Sequence, residues 1–380
     1  MAEPEPNEQP CVPDYGRSTL ADVFGSVATS LGVSGWPDAL GLPRSARWVI
    51  LLVDGLGDAN LAAAADCAPY LAGLREAQGR TLTSGAPSTT ATSITSLGTG
   101  LTPGEHGIVG YSFRNPVSGG VLNALSWQRG LSALDVQPRL TGFERLARSG
   151  VDLTNVALAR FAGTGLTECA LRGARFVPVP DEGDHASRIG WVADAAASGD
   201  ASLVYFYERE LDHTGHGEGW QSSAWRHALR RVDTLARRLR EALPDDVALL
   251  VTGDHGMVDC PRDRWVVAED VPGLLDDVTL FAGEGRFRQV YAEPGHVVGV
   301  ARRWSSVLGE RAWVVTRDEA IDAGWFGPVQ PRLASRIGDV LVGVRDDTAV
   351  MTRRQPNEFG LVGMHGSLTD AEMRVPLLVG

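Results

Sequence analysis

Three stretches of the chain are apolar almost without a break. Arg47-Trp48-Val49-Ile50-Leu51-Leu52-Val53 stops at Asp54-Gly55, Leu203–Tyr207 runs into Glu208-Arg209-Glu210, and Val247–Thr252 stops at Gly253-Asp254-His255. Runs of this length with no polar alternation predict strands buried on both faces, the pattern of a parallel sheet. A fourth run, Val375–Val379, carries Pro376, which lacks a ladder donor and predicts an edge or irregular strand.

Between the second and third runs the period changes. Trp225, Leu229, Val232, Leu235 and Leu239 recur at spacings of three and four, while Arg226, Arg230, Arg231, Arg237, Arg238 and Arg240 fill the rest of the cylinder. This is an amphipathic helix, so the unit reads β-α-β. The fold class that follows is α/β, a three-layer α/β/α arrangement around a largely parallel central sheet. The stretches 115–200 and 262–350 are rich in Gly and Pro with weak periodicity and are expected to be inserted lid regions that set substrate specificity, within one catalytic domain spanning 1–380.

Bulk properties narrow the function classes. The formal net charge of −12 and pI near 5.2 disfavour a nucleic-acid polymer or an anionic membrane as partner. A small anion held by a local cation is compatible with that charge. Cys11, Cys67, Cys169 and Cys260 are scattered without a CxxC pair, so neither a disulfide framework nor a thiolate metal cluster is expected. The acidic, Pro-rich MAEPEPNEQP start resembles no signal peptide, and no apolar run approaches a membrane span; a cytoplasmic protein with a loose first ten residues is expected.

Ligands of open α/β sheets collect beyond the carboxyl ends of the strands. Those ends here deliver Asp54, then Glu208 through His216, then Asp254 with His255. Asp212 and His216 stand four apart and can face one ion from a single helical turn. Each has a bland alternative: Asp54-Gly55 as a plain turn, Asp254 as a helix cap, His255 as a satisfied polar residue. Joint placement at several strand ends is what those alternatives explain poorly. Gly256 is expected to let the backbone turn sharply behind the Asp-His pair.

Residues 83–96 are crowded with hydroxyls. A Ser/Thr linker is one reading, but Ile94, Leu97 and Leu101 have helical spacing and Thr99-Gly100 reads as a stop. The hydroxyls then cluster at a helix N-terminus, which favours a phosphate. A threonine hydroxyl is a poor nucleophile at neutral pH and needs a metal to become one.

VDGLG at 53–57, TGLTPGEHGI at 99–108, LDHTGH at 211–216, TGDHGMVD at 252–259 and GMHG at 363–366 together resemble the ordered motifs of the alkaline phosphatase superfamily, in particular its nucleotide pyrophosphatase/phosphodiesterase branch. The matching segments cover about a quarter of the chain. The resemblance implies two divalent metal ions, zinc being the expected element, beside a Ser or Thr nucleophile. Carried over position by position, Asp54, Asp254 and His255 match the ligands of the ion beside the nucleophile. Asp212, His216 and His365 match those of the ion that serves the attacking water. The nucleophile falls on Thr90, with Thr89 and Ser88 as the alternatives if the register slips. With three aspartates and an ionised Thr90, two such ions leave the centre near neutrality. Where the family's phosphodiesterases often carry asparagines, this chain has Ser93 and Tyr111; the Tyr111 hydroxyl is a substitute donor to a phosphoryl oxygen. Arg114 is a candidate anion clamp, and Tyr111, Phe113 and Trp127 are either base-stacking or core residues. His106 and His213 are expected outside the metal shell, and His185, His227 and His296 in surface or capping roles.

The function implied is a two-metal hydrolase of phosphoric esters, a phosphodiesterase or nucleotide pyrophosphatase working through a phospho-threonine. Its substrate is a small phosphate ester, nucleotides among the candidates. The alternatives are a phosphomonoesterase of the same superfamily and a non-catalytic metal- or phosphate-binding module. A sulfatase is disfavoured by the lack of a CxPxR pattern near the nucleophile segment, and a phosphomutase by the modest size of the inserted stretches.

Overall fold

The computed structural model describes residues 9–127 and 130–380. The first eight residues, within the stretch expected to be loose, lie outside the described residues.

Seven strands form the central sheet: β1 (Arg47–Val53), β2 (Arg80–Thr83), β3 (Asp152–Leu158), β4 (Arg175–Val179), β5 (Ser202–Glu208), β6 (Val247–Gly253) and, at the far end of the chain, β11 (Arg374–Val379). Their order is β2-β11-β6-β1-β5-β3-β4. β11 runs antiparallel to both strands beside it and the remaining ladders are parallel, so the sheet is largely parallel. β1 sits in the middle, which is why its run is apolar throughout.

Alternate residues of the central strands feed two cores. Val49, Leu51 and Val53 pack with Val204, Phe206 and Leu249 against the buried stripe of α6 (Ser223–Ala242), including Trp225, Leu229, Val232 and Leu239. The helix starts where Ser222 Oγ accepts a hydrogen bond from the Trp225 amide. Trp48, Ile50 and Leu52 face the other way and meet α1 (Ala21–Ser30) and α2 (Thr90–Thr99) through Val23, Phe24, Val27, Ile94 and Leu97. Helices on both faces, among them α3 (Gly142–Ala147) on the side of α1 and α4 (His185–Ala196) on the side of α6, complete the α/β/α layering.

Two expectations need correction. Pro376 does not put its strand at an edge: β11 lies between β2 and β6, and β2 is the edge. Pairing with β6 begins only at Leu377, so that ladder does not include the proline. The stretch 115–200 is not wholly inserted either, because β3 and β4 come from inside it. The 262–350 stretch does build a separate layer. β7 (Val278–Glu284), β8 (Phe287–Ala292), β9 (Ala312–Thr316) and β10 (Val340–Val344) form an antiparallel sheet in the order β7-β8-β10-β9. One side packs on α7 (Val297–Leu308) through Val300, Trp304 and Leu308, while Phe287 and Leu341 join a cluster with Ile108, Val109 and Phe113. This layer is tied to the C-terminal segment by a fully buried pair in which Arg286 donates twice to Glu372 at 3.0 and 2.7 Å.

Candidate active site

The three polar strand ends meet. Asp54 follows β1; Asp212 and His216 lie on α5 (Glu210–Glu218) after β5; Asp254 and His255 follow β6; His365 comes from the loop before β11. His255 Nε2 is 3.3 Å from Asp54 Oδ1 and 3.6 Å from Asp254 Oδ2, and these three residues form one potential cation cage. Asp212, His255 and His365 form a second, with Asp212 Oδ1 3.9 Å from His365 Nε2 and 3.4 Å from His216 Nε2. The His255 and His365 rings stack at 3.5 Å, and the His216 ring centre is 5.1 Å from that of His365. All six residues therefore share one site.

Local backbone geometry makes this possible. Gly55 has φ +75°, and a Cβ there would sit 3.0 Å from the Asp212 backbone. Gly256 does not follow the expectation of a sharp turn, since it is absent from the positive-φ positions. Its requirement is space: a Cβ would lie 1.9 Å from the Ala371 carbonyl oxygen.

The histidines are held in one orientation. Nδ1 of His216 meets the Gly363 carbonyl at 2.8 Å, Nδ1 of His255 the Gly256 carbonyl at 3.0 Å, and Nδ1 of His365 the Ser88 carbonyl at 2.9 Å. A proton on Nδ1 satisfies each carbonyl and turns Nε2 inward as a lone-pair donor, the arrangement that supports metal-ligating imidazoles. Asp212 Oδ1 and Asp254 Oδ2 are buried without a hydrogen-bond partner among the described residues. Ligand atoms of this kind, buried and unsatisfied, fit divalent cations.

The electrostatics say the same. Burial, followed by the Asp54 charge, pushes the Asp212 and Asp254 carboxyls well above the usual range. Burial alone lowers the His255 imidazole, but Asp254, Asp54 and Asp212 outweigh it and raise it to about 10. His365 goes the other way, well down, through burial and the neighbouring His255 and His216. Without added positive charge the centre holds on to protons to balance its carboxylates.

The hydroxyl run is sorted by its bonds. Ser88 Oγ donates to the Ser367 carbonyl at 2.6 Å, Thr92 Oγ1 to that of Ile108, Thr95 to that of Ala91, and Thr99 to that of Thr95. Thr90, the first residue of α2, instead faces the acidic centre, with Oγ1 3.2 Å from His255 Nε2 and 3.5 Å from Asp54 Oδ1. The N-cap residue Thr89 makes no side-chain cap at this helix start.

A cavity of about 410 Å³ opens beside these groups; Asp54, Thr90, Asp212, His216 and His365 line one part of it, and Tyr111 is also on its wall. Ser93 and Arg114 are not among the lining residues. Ser93 is buried with an Oγ that has no hydrogen-bond partner among the described residues, and the Arg114 guanidinium lies over the Tyr291 ring at 4.3 Å. Phe113 is core, while Trp127 donates its indole N–H to the Ala124 carbonyl. His213 is on the cavity wall. His106 is buried and neutral, accepting from the Ile108 amide at Nδ1 with Nε2 against Ser96 Oγ, and burial holds it down to about 3. His227 Nδ1 lies 2.7 Å from the Ser223 carbonyl.

Sequence reasoning missed Tyr207, whose hydroxyl donates to Asp54 Oδ2, and Glu284, a buried carboxyl from the end of β7 that lies 4.0 Å from His365 Nδ1. The signal for Tyr207 was present: Tyr205 and Tyr207 alternate on one face of a strand otherwise read as apolar. Glu284 had none, since its strand belongs to the layer with weak periodicity.

An α/β/α sheet with a hydroxyl and two acidic cages at the strand ends defines an alkaline-phosphatase-like hydrolase. The family model for type I phosphodiesterase / nucleotide pyrophosphatase matches residues 48–368. The chain belongs to that family and is a hydrolase acting on phosphoric ester bonds. Among solved structures, human ectonucleotide pyrophosphatase/phosphodiesterase 5 superposes with a TM-score of 0.69 at 16% identity, covering 88% of this chain and 87% of that one. An inactive form of the murine protein in complex with AMP gives 0.68 at 16%, covering 87% of each. Phosphonoacetate hydrolase from Sinorhizobium meliloti 1021 in complex with phosphonoformate gives 0.68 at 20%, covering 89% and 90%. At these identities the likeness is one of fold.

Proposed function

We propose that the chain is a phosphodiesterase that acts through a covalent phospho-threonine at Thr90 and takes two divalent cations, zinc being the best match to three aspartates and three imidazoles. Asp54, Asp254 and His255 would hold one ion, and Asp212, His216 and His365 the other. When bound, the ions would supply positive charge opposite the phosphoryl oxygens and make ionisation of a hydroxyl or a water easier.

The observation that carries the reading is the position of Thr90 Oγ1, within 3.5 Å of both Asp54 and His255, while the hydroxyls of Ser88 and Thr92 are engaged by backbone carbonyls. In the first step Thr90 Oγ bonds to phosphorus, the bond to the leaving oxygen breaks, and the Thr90 hydroxyl proton passes, by way of solvent, to the departing alkoxide. In the second, water adds to phosphorus, the bond to Oγ breaks, and Thr90 regains its proton. The uncapped start of α2 presents backbone N–H groups and the positive end of its dipole to the phosphoryl oxygens. Tyr111, on the cavity wall, is the side-chain donor to the same oxygens. The preference for a diester rests on the cavity, which leaves room for a second organic group. The murine ectonucleotide pyrophosphatase/phosphodiesterase in complex with AMP and the phosphonoacetate hydrolase in complex with phosphonoformate support a small phosphoryl ligand.

The test compares a para-nitrophenyl alkyl diester with para-nitrophenyl phosphate, on zinc-loaded and on chelated protein. The expected result is higher kcat/KM for the diester, loss on chelation and return with zinc. Thr90→Ala should keep its zinc and lose turnover by on the order of 10³-fold or more. Preference for the monoester makes the protein a phosphatase. No turnover of either ester with metal bound makes it a binding module, and undiminished turnover by Thr90→Ala removes the nucleophile assignment.

A further inference from the structure

The cavity has a second polar feature besides the acidic centre. Asn155 on β3 and Tyr205 on β5 are register partners on adjacent parallel strands, 2% and 1% exposed. Both line the cavity, and Asn155 Oδ1 and the Tyr205 hydroxyl each lack a hydrogen-bond partner among the described residues. Tyr205 also pairs with Ile50, four residues before Asp54, so its backbone lies roughly 13 Å below the acidic strand end, while its phenol still feels the Asp254 and Asp54 charges. Aliphatic side chains line the same cavity: Ile94 one turn along α2 from Thr90, with Ala157, Leu166 and Leu171.

An amide oxygen and a phenol side by side in a hydrophobic layer, bonded neither to each other nor to any other described group, are costly to bury. A leucine and a phenylalanine would fill the same positions without that cost. The two groups are complementary to one external partner: the amide oxygen accepts, the phenol donates, and a hydroxyl does both in return. Resting on the phosphodiesterase reading, we propose that Asn155 and Tyr205 form the far end of a subsite for the organic group of the substrate, and that this group is an aliphatic chain ending in a hydroxyl. The aliphatic walls match the chain, and the polar pair fixes its length and its terminal group. A site built to hydrogen-bond a hydroxyl discriminates strongly against the analogue that lacks it, because the pair is then left buried and unsatisfied.

The experiment uses the zinc-loaded full chain and two homologous series of para-nitrophenyl diesters, ω-hydroxyalkyl and n-alkyl, matched in length. At one chain length the hydroxyalkyl ester should exceed its matched alkyl ester in kcat/KM by about tenfold or more. Tyr205→Phe and Asn155→Leu should each collapse that ratio towards one. A ratio near one at every length in the unmodified protein, or a ratio that both variants preserve, overturns the subsite and leaves the polar pair to a buried water. The ratio in the unmodified protein needs no variant, so the subsite stays open to refutation even where a substitution fails to fold. If no diester is hydrolysed at all, the phosphodiesterase reading fails separately. The subsite is then judged by calorimetric binding of ω-hydroxyalkyl against n-alkyl phosphonates, where a tenfold difference in Kd supports it and equal Kd values overturn it.

Discussion

Tyr207 shows how one hydroxyl sets the state of a carboxylate. Burial pushes its phenol well up and the Asp54 charge pushes it further, so it stays protonated and donates to Asp54 Oδ2. Asp54 in turn is held below its ordinary range despite burial, because His255 and Tyr207 both favour its ionised form. A buried aspartate that remains charged and aimed is a good cation ligand, and outer-shell donors of this sort are worth roughly 10–100-fold in metal affinity. Tyr207→Phe should therefore weaken zinc by about that factor, read by competition with a chromogenic chelator. Unchanged affinity would mean that Asp54 needs no orienting partner.

At the level of elements, the loop carrying His365 depends on the antiparallel layer beneath it. Arg286 reaches from the β7–β8 turn to Glu372, and Glu372 Oε1 also accepts from the Ser367 amide, two residues past His365. Arg286→Met leaves Glu372 buried without its counter-charge, for which the expected cost is about 3–5 kcal/mol. Arg286→Met with Glu372→Gln should recover a large part of it, and denaturant melts of the two variants measure the difference. Equal losses in both would show that Arg286 acts by packing alone. This dependence was invisible in the sequence, since Arg286 and Glu372 stand far apart with no periodicity linking them. β1, β5 and β6 were legible because their apolar runs are unbroken, and α6 because its apolar stripe keeps the helical period. β3 was not, and the reason is local: Asp152-Leu-Thr-Asn-Val-Ala-Leu carries Thr154 and Asn155 in positions the fold buries, so its pattern reads as mixed. One of the two polar residues that hid the strand, Asn155, lines the cavity. β11 was legible as a strand and misplaced as an edge, because the proline rule speaks to the ladder at one residue and β6 pairs beyond it.

Across the whole molecule the charge balance joins metal to pH. The chain carries −12 overall, and three of its buried aspartates and histidines, Asp54, Asp254 and His255, converge on one centre with Asp212 and His365 beside them. His255 is raised to about 10 by the neighbouring carboxylates, so at neutral pH the metal-free centre keeps a proton there, while burial and the Asp54 charge push Asp212 and Asp254 up as well. Cation ligation needs those donors deprotonated, so loading must expel the protons. Raising the pH removes the competing protons, and the apparent affinity for zinc should increase with pH below about 10, by about tenfold per pH unit for each proton released. Calorimetric titration of the metal-free protein in two buffers of different ionisation enthalpy counts the protons directly, and at least about one per molecule is expected near pH 7. Metal uptake with no proton release and no pH dependence would mean that the cations bind somewhere other than this cluster of aspartates and histidines, whatever the activity of the loaded protein.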